Sequence, residues 1–138
     1  MKKKNNRLVF FNGKFVPEQE AKVSIYDSSL MFGDMVFEMT RSFNNKQFLL
    51  EEHVDRLLLG LKILRIPLEY KKNQLIDLCY KTLEKNKITM NPKDEDRIMI
   101  DVSRGLLGIY HGIEGLHKGP NLIIANFPLR WTVNGMGK

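Results

Sequence analysis

The chain has 138 residues, 43% of them hydrophobic and 28% charged, with a formal net charge of +6. That balance fits one globular domain and excludes a disordered or collagen-like chain, and a chain of this size buries roughly 68% of its unfolded surface, enough for a core without cross-links. A single cysteine, Cys79, excludes an intramolecular disulfide framework and fits a reducing compartment.

Much of the positive charge sits in the first seven residues, MKKKNNR. A secretory signal begins in this way but continues with about 7–15 apolar residues. Here Leu8, Val9, Phe10 and Phe11 are followed at once by Asn12-Gly13. Residues 1–7 are therefore expected to be a disordered basic end of a cytoplasmic protein. No apolar run approaches the roughly 18 residues of a membrane helix. The later lysines (Lys71, Lys72, Lys81, Lys85, Lys87) are scattered rather than clustered with aromatic residues on one surface, which argues against nucleic-acid binding.

Residues 9–16 read as a β-hairpin, because Asn12-Gly13 supplies the positive φ angles of a two-residue turn. Residues 21–26 read as a further short strand, with Val23 and Ile25 alternating, and Asp27-Ser28-Ser29 as turn chemistry. Residues 36–43 alternate and turn back through Asn44-Asn45-Lys46 into residues 47–50, a second hairpin. The period then changes. Val54, Leu57, Leu58, Leu61, Ile63 and Leu64 mark a helix over residues 51–66. Glu51 and Glu52 suit its positive N-terminal end, and Pro67 stops it.

A second amphipathic helix spans residues 74–85, with Leu75, Leu78, Cys79 and Leu83 as its apolar side; Cys79 reads as a small core residue. Residues 90–95 are loop. Residues 98–102 and 122–125 are buried strands, separated by a glycine-rich stretch over residues 105–119, and Phe127-Pro128 closes the last strand. Residues 131–138 read as a linker or loose tail. The fold class expected is α+β: a mostly antiparallel sheet with two main helices on one face.

Chemistry is sparse. Arg56 falls at the border of the apolar stripe. Spacing alone leaves two readings open: a snorkelling side chain, or a guanidinium gripping a phosphate or carboxylate through its planar fork. His53, one turn earlier, reads as a hydrogen-bonded packing residue. Gly33 before a strand permits an unusual backbone angle or a close approach. Glu38 and Arg41 read as exposed strand residues. His53, His111 and His117 lack zinc-ligand spacing, and the phosphate-loop, dinucleotide and serine-elbow patterns are absent.

The segments FNGKFVP and DSSLMFGDMVFEMTRSFNNKQFLLEEHVDRLLLGLKILRIP resemble the N-terminal small domain of class IV aminotransferases, the fold-type IV pyridoxal-phosphate enzymes. The likeness runs from about Leu8 to Phe127. It implies a small domain over residues 8–128 and an interdomain linker remnant over residues 129–138. It implies that Arg56, in the EHxxRL-like element, contacts the phosphate of pyridoxal 5'-phosphate. It places Phe37 and Phe32 in the lining of the substrate pocket, and residues 105–111 in a loop over it that ends at His111. Arg41 matches the arginine of a branched-chain FEGIR-like element. Arg97-Ile98-Met99 stands where branched-chain enzymes have Tyr-x-Arg. D-amino-acid enzymes carry a tyrosine at the Phe37 position and Arg-x-His where this chain has Ile109-Tyr110-His111. The resemblance therefore leans to the branched-chain side.

It also implies a catalytic lysine, bonded to the cofactor, in a C-terminal domain outside this chain. The expectation is a homodimer that passes an amino group between an amino acid and a 2-oxo acid, inactive without that second domain and binding no cofactor alone. An aminodeoxychorismate lyase-like small domain, a D-amino-acid aminotransferase small domain and a non-catalytic dimerising module stay open.

Overall fold

The computed structural model describes residues 6–136, and its first feature is the hairpin dictated by Asn12-Gly13: β1 (Leu8–Phe11) pairs antiparallel with β2 (Lys14–Pro17). Residues 21–26, expected as a strand, form none. They follow a 3-10 turn at Glu18–Glu20, and Val23 and Ile25 are exposed, so alternation alone did not find them a sheet partner. Asp27 then caps a short helix α1 (Ser28–Phe32), its side chain accepting from the Ser29 N–H, the usual device for satisfying a first-turn donor. Gly33 ends α1 at φ 69°, the left-handed angle that glycine adopts without strain.

The strand expected over residues 36–43 divides. Its first part is β3 (Met35–Met39); β4 (Ser42–Phe43) and β5 (Lys46–Gln47) form a separate small hairpin turned by Asn44 and Asn45, both at positive φ. Glu95 holds that hairpin, accepting from the Ser42 hydroxyl and from the Asn44 and Asn45 N–H groups. Helix α2 (Leu50–Leu64) buries Leu50, Val54, Leu57 and Leu61, and α3 (Lys72–Asn86) buries Leu75, Cys79, Thr82 and Asn86.

Strands β6 (Asp96–Ser103) and β7 (Asn121–Pro128) complete a five-stranded antiparallel sheet of order β2-β1-β7-β6-β3. Both main helices pack on one face, against Phe10, Ile98, Ile100, Val102, Leu122 and Ile124. The α+β class expected from the pattern of elements is the class observed. β3 is an edge strand, and α2 lies over it.

Residues 129–136, expected as linker, are helical: α4 (Leu129–Met136), whose Trp131 stacks on Phe127 with ring centroids 5.8 Å apart. Arg7, expected in the disordered basic end, is buried instead. Its Nε donates to Glu18 Oε1 at 3.1 Å, and its guanidinium lies 4.5 Å from the Trp131 ring centroid. Residues 1–5 of that end and residues 137–138 of the expected linker lie outside the described residues.

Candidate functional site

Alternation along β3 decides what each of its side chains meets. Val36 and Glu38 lie opposite Val102 and Ile100 and so share the helix-covered face. Met35, Phe37 and Met39 point the other way. Glu38, expected to be exposed, is 5% exposed, and α2 brings two side chains to it. Arg56 donates through Nε to Glu38 Oε2 and through Nη2 to Oε1, each at 2.7 Å. His53 Nδ1 lies 2.7 Å from Oε1.

This is a fork-to-fork pair, which fixes the plane of the guanidinium. The hydrogen bond from Arg56 holds the Glu38 carboxyl below its ordinary range; burial opposes that shift, and His53 adds to it. An ionised carboxylate only accepts, so His53 Nδ1 carries the proton it shares with Glu38. The Arg56 side chain is 71% exposed although its partner is buried. Glu38 occupies one side of the fork, and Nη1 has no protein partner among the described residues. The site therefore presents a planar cation held in a fixed orientation at an open sheet edge. That is suited to an anion such as a carboxylate or a phosphate.

The other expected residues surround this edge at different points. Phe37 lies on the opposite face of β3 and is 59% exposed. A molecule at the open edge of β3 can therefore meet Arg56 on one side of the strand and Phe37 on the other. Phe32, 66% exposed, ends α1 just before β3. Beyond the far end of β3, Arg41 Nε donates to the Ser42 carbonyl and its guanidinium lies 3.8 Å from the Phe43 ring centroid. Arg97 Nε donates to the Thr40 carbonyl, and its Nη1 to the Thr132 hydroxyl. His111 Nε2 donates to the Leu106 carbonyl from an exposed loop. No hydrogen bond, ion pair or ring contact joins these five to Arg56 among the described residues.

Two residues that spacing missed carry the arrangement. Glu38 holds Arg56. Asp34 receives Arg104, which also donates to the Leu64 and Arg65 carbonyls at the end of α2. No local signal marked Glu38: its alternation with apolar residues reads the same whether a helix or water covers it.

Elsewhere, a cavity of about 620 Å³ opens between α3 and β5, lined by residues that include Gln47, Tyr80, Leu83, Met90 and Asp96; none of the expected site residues lines it. The described residues contain no cluster of three or more His, Cys, Asp or Glu placed to hold a metal, and no helix long and apolar enough to cross a membrane. Burial pushes the Cys79 thiol up to about 12, which keeps it inert.

Comparison with known proteins extends this picture. The family model for amino-transferase class IV matches residues 35–138. A putative branched-chain-amino-acid aminotransferase of Methanocaldococcus jannaschii is 42% identical over 80 residues, 58% of this chain and 28% of that protein. D-alanine aminotransferase of Staphylococcus aureus is 36% identical over 115 residues, 83% of this chain and 39% of that protein. In solved structures, the branched-chain amino acid aminotransferase of Escherichia coli superposes with a TM-score of 0.75 at 27% identity, covering 91% of this chain and 42% of that one. The chain thus spans about two fifths or less of the length of these relatives.

Proposed function

The chain belongs to the amino-transferase class IV family, and from that premise we propose that it supplies the phosphate-gripping edge of an aminotransferase site. The reaction would move an amino group between an amino acid and a 2-oxo acid. The carrying observation is the Arg56 guanidinium, exposed yet locked by two hydrogen bonds to buried Glu38. A guanidinium fixed in this way loses little freedom when it binds a phosphate, so more of the interaction appears as affinity.

The family's cofactor is pyridoxal 5'-phosphate, which when bound supplies the electron sink for the reaction. Arg56 fits its phosphate by charge, exposure and geometry. His53 and Glu38 would keep Arg56 in place, and Phe37 would exclude water from the neighbouring surface. Lysines with defined contacts are engaged elsewhere: Lys72 with Asp55 and Glu51, Lys81 with Asp77, Lys85 over the Phe15 ring. By the family resemblance, the catalytic lysine is proposed to come from polypeptide outside this chain, in a cytoplasmic homodimer, so that the chain alone is inactive. The short span relative to its relatives supports that reading.

Phe37 and Arg41 support a preference for branched aliphatic amino acids. The Staphylococcus aureus relative, aligned over most of the chain, favours a second reading, a D-amino-acid donor. Amino transfer by the full-length protein from L-leucine and from D-alanine to 2-oxo acids separates the two. Phosphate gripping is tested with two ligands, pyridoxal phosphate and pyridoxal. In the full-length protein, Arg56→Ala should weaken the phosphorylated ligand at least tenfold and leave the other unchanged. Equal loss for both would remove Arg56 from the phosphate site.

A further inference from the structure

The sheet face away from the helices holds a carboxyl group that the reading above does not use. Asp101 lies directly opposite Phe37 on β3 and Ile123 on β7. The next row along the same face is Met39, Met99 and Ala125. At one end this face is closed by Asp27, Ser103 and Asn121, and at the other by α4 with Trp131 on Phe127. Between those ends Phe37 is largely exposed, and Asp101, Met39, Met99 and Ile123 are half-buried.

Asp101 accepts no hydrogen bond and makes no ion pair among the described residues. Its neighbours in the facing rows of β3 and β7 are uncharged. The charged residue on its own strand and face, Arg97, directs its guanidinium to Thr40 and Thr132. An unpaired carboxyl in apolar surroundings is costly, and burial pushes Asp101 up to about 6. A cation arriving there would relieve that cost.

We infer that the Phe37–Asp101–Ile123 row binds the terminal ammonium of a substrate whose side chain is an aliphatic stem ending in an amine. The carboxylate receives the cation, the open face of the Phe37 ring attracts it, and the methionines accommodate the stem, since their unbranched chains adapt to irregular shapes. This rests on the reading of Phe37 as a pocket residue. It extends the substrate range from branched aliphatic amino acids to basic ones. A second carboxylate in this place would be repelled, so acidic side chains are disfavoured.

Lysine and norleucine test the inference, because they differ chiefly by the terminal ammonium. In the full-length protein, Asp101→Asn should lower kcat/KM for lysine at least tenfold and leave norleucine within twofold, in whichever enantiomer series the protein accepts. Equal effects on both, or none on lysine, overturn the inference and leave the aminotransferase reading standing. If no amino acid is a donor, that reading fails by itself. The row is then judged by nuclear magnetic resonance: n-butylammonium should shift the Asp101 carboxyl resonance and butyrate should not. A resonance that ignores n-butylammonium overturns the inference.

Discussion

Asp27 and Glu38 are both buried carboxyl groups, 1% and 5% exposed, and they differ in where their partners lead. Asp27 accepts from the Ser29 N–H and hydroxyl, the Ser103 hydroxyl and the Asn121 amide. All of these partners belong to the framework, and the Ser28 N–H donating to the Gly105 carbonyl ties the same turn to the loop after β6. Glu38 accepts from His53 and Arg56, and Arg56 faces outward. A carboxyl whose donors are all internal contributes stability. One that spends its bonds on an exposed cation shapes a surface. The same burial thus serves architecture in one place and, in the proposed function, a binding edge in the other.

Asp27→Ala should break this comparison most severely. It strands three side-chain donors and one backbone donor, and a loss of about 3 kcal/mol is expected by urea denaturation. In the full-length protein the folded fraction should keep whatever affinity for pyridoxal phosphate the wild type has, as the proposed function requires. A loss below about 1 kcal/mol would show that the network is replaceable by water. Gly105→Ala comes next. Gly105 sits at φ 88°, and the Gly119 carbonyl occupies the space a Cβ would take. About 2 kcal/mol should be lost, with the glycine-rich loop displaced in hydrogen exchange.

Glu38→Gln sharpens the other side of the comparison. It should cost about 1–2 kcal/mol at neutral pH and, in the full-length protein, weaken pyridoxal phosphate roughly tenfold through a loosened Arg56. The sign of its pH dependence follows from a lowered native pKa. The stabilising contribution is complete above the ordinary value of 4.5 and is lost as pH falls through the native value. The gap between wild type and Glu38→Gln should therefore close in acid. Asp101→Asn should have the smallest effect and the opposite sign. Its native pKa is raised, from 3.8 to about 6, so the folded state is penalised above that range and not below it. The variant should melt slightly higher than wild type at pH 8 and alike at pH 3. A lower melting temperature at pH 8 would mean that Asp101 has a partner.

Legibility in the sequence followed the range of the interactions. The hairpin at Asn12-Gly13 and the stripe of α2 depend on neighbours within a few residues, and both were readable. The strand expected over residues 21–26 failed because alternation needs a partner strand, and none pairs with it. The tail beyond residue 128 read as linker because its docking depends on Phe127 and on Arg7 from the opposite end of the chain. Arg56 was legible as a candidate from its place in the stripe, and its family from the surrounding motif. Glu38 was not, since a carboxyl on an alternating strand looks the same whether water or a helix covers it.

The sequence by itself determined the α+β class, the main helices, the family and the choice of Arg56. These rest on local periodicity and on a contiguous motif. Tertiary structure alone decided that β3 would be the edge strand, that Glu38 would hold Arg56 from 18 residues away, and that Asp27 would meet Asn121 from 94. Such pairings are set by sheet order and register, which depend on how the whole core closes, and neither local periodicity nor spacing shows which residues will meet.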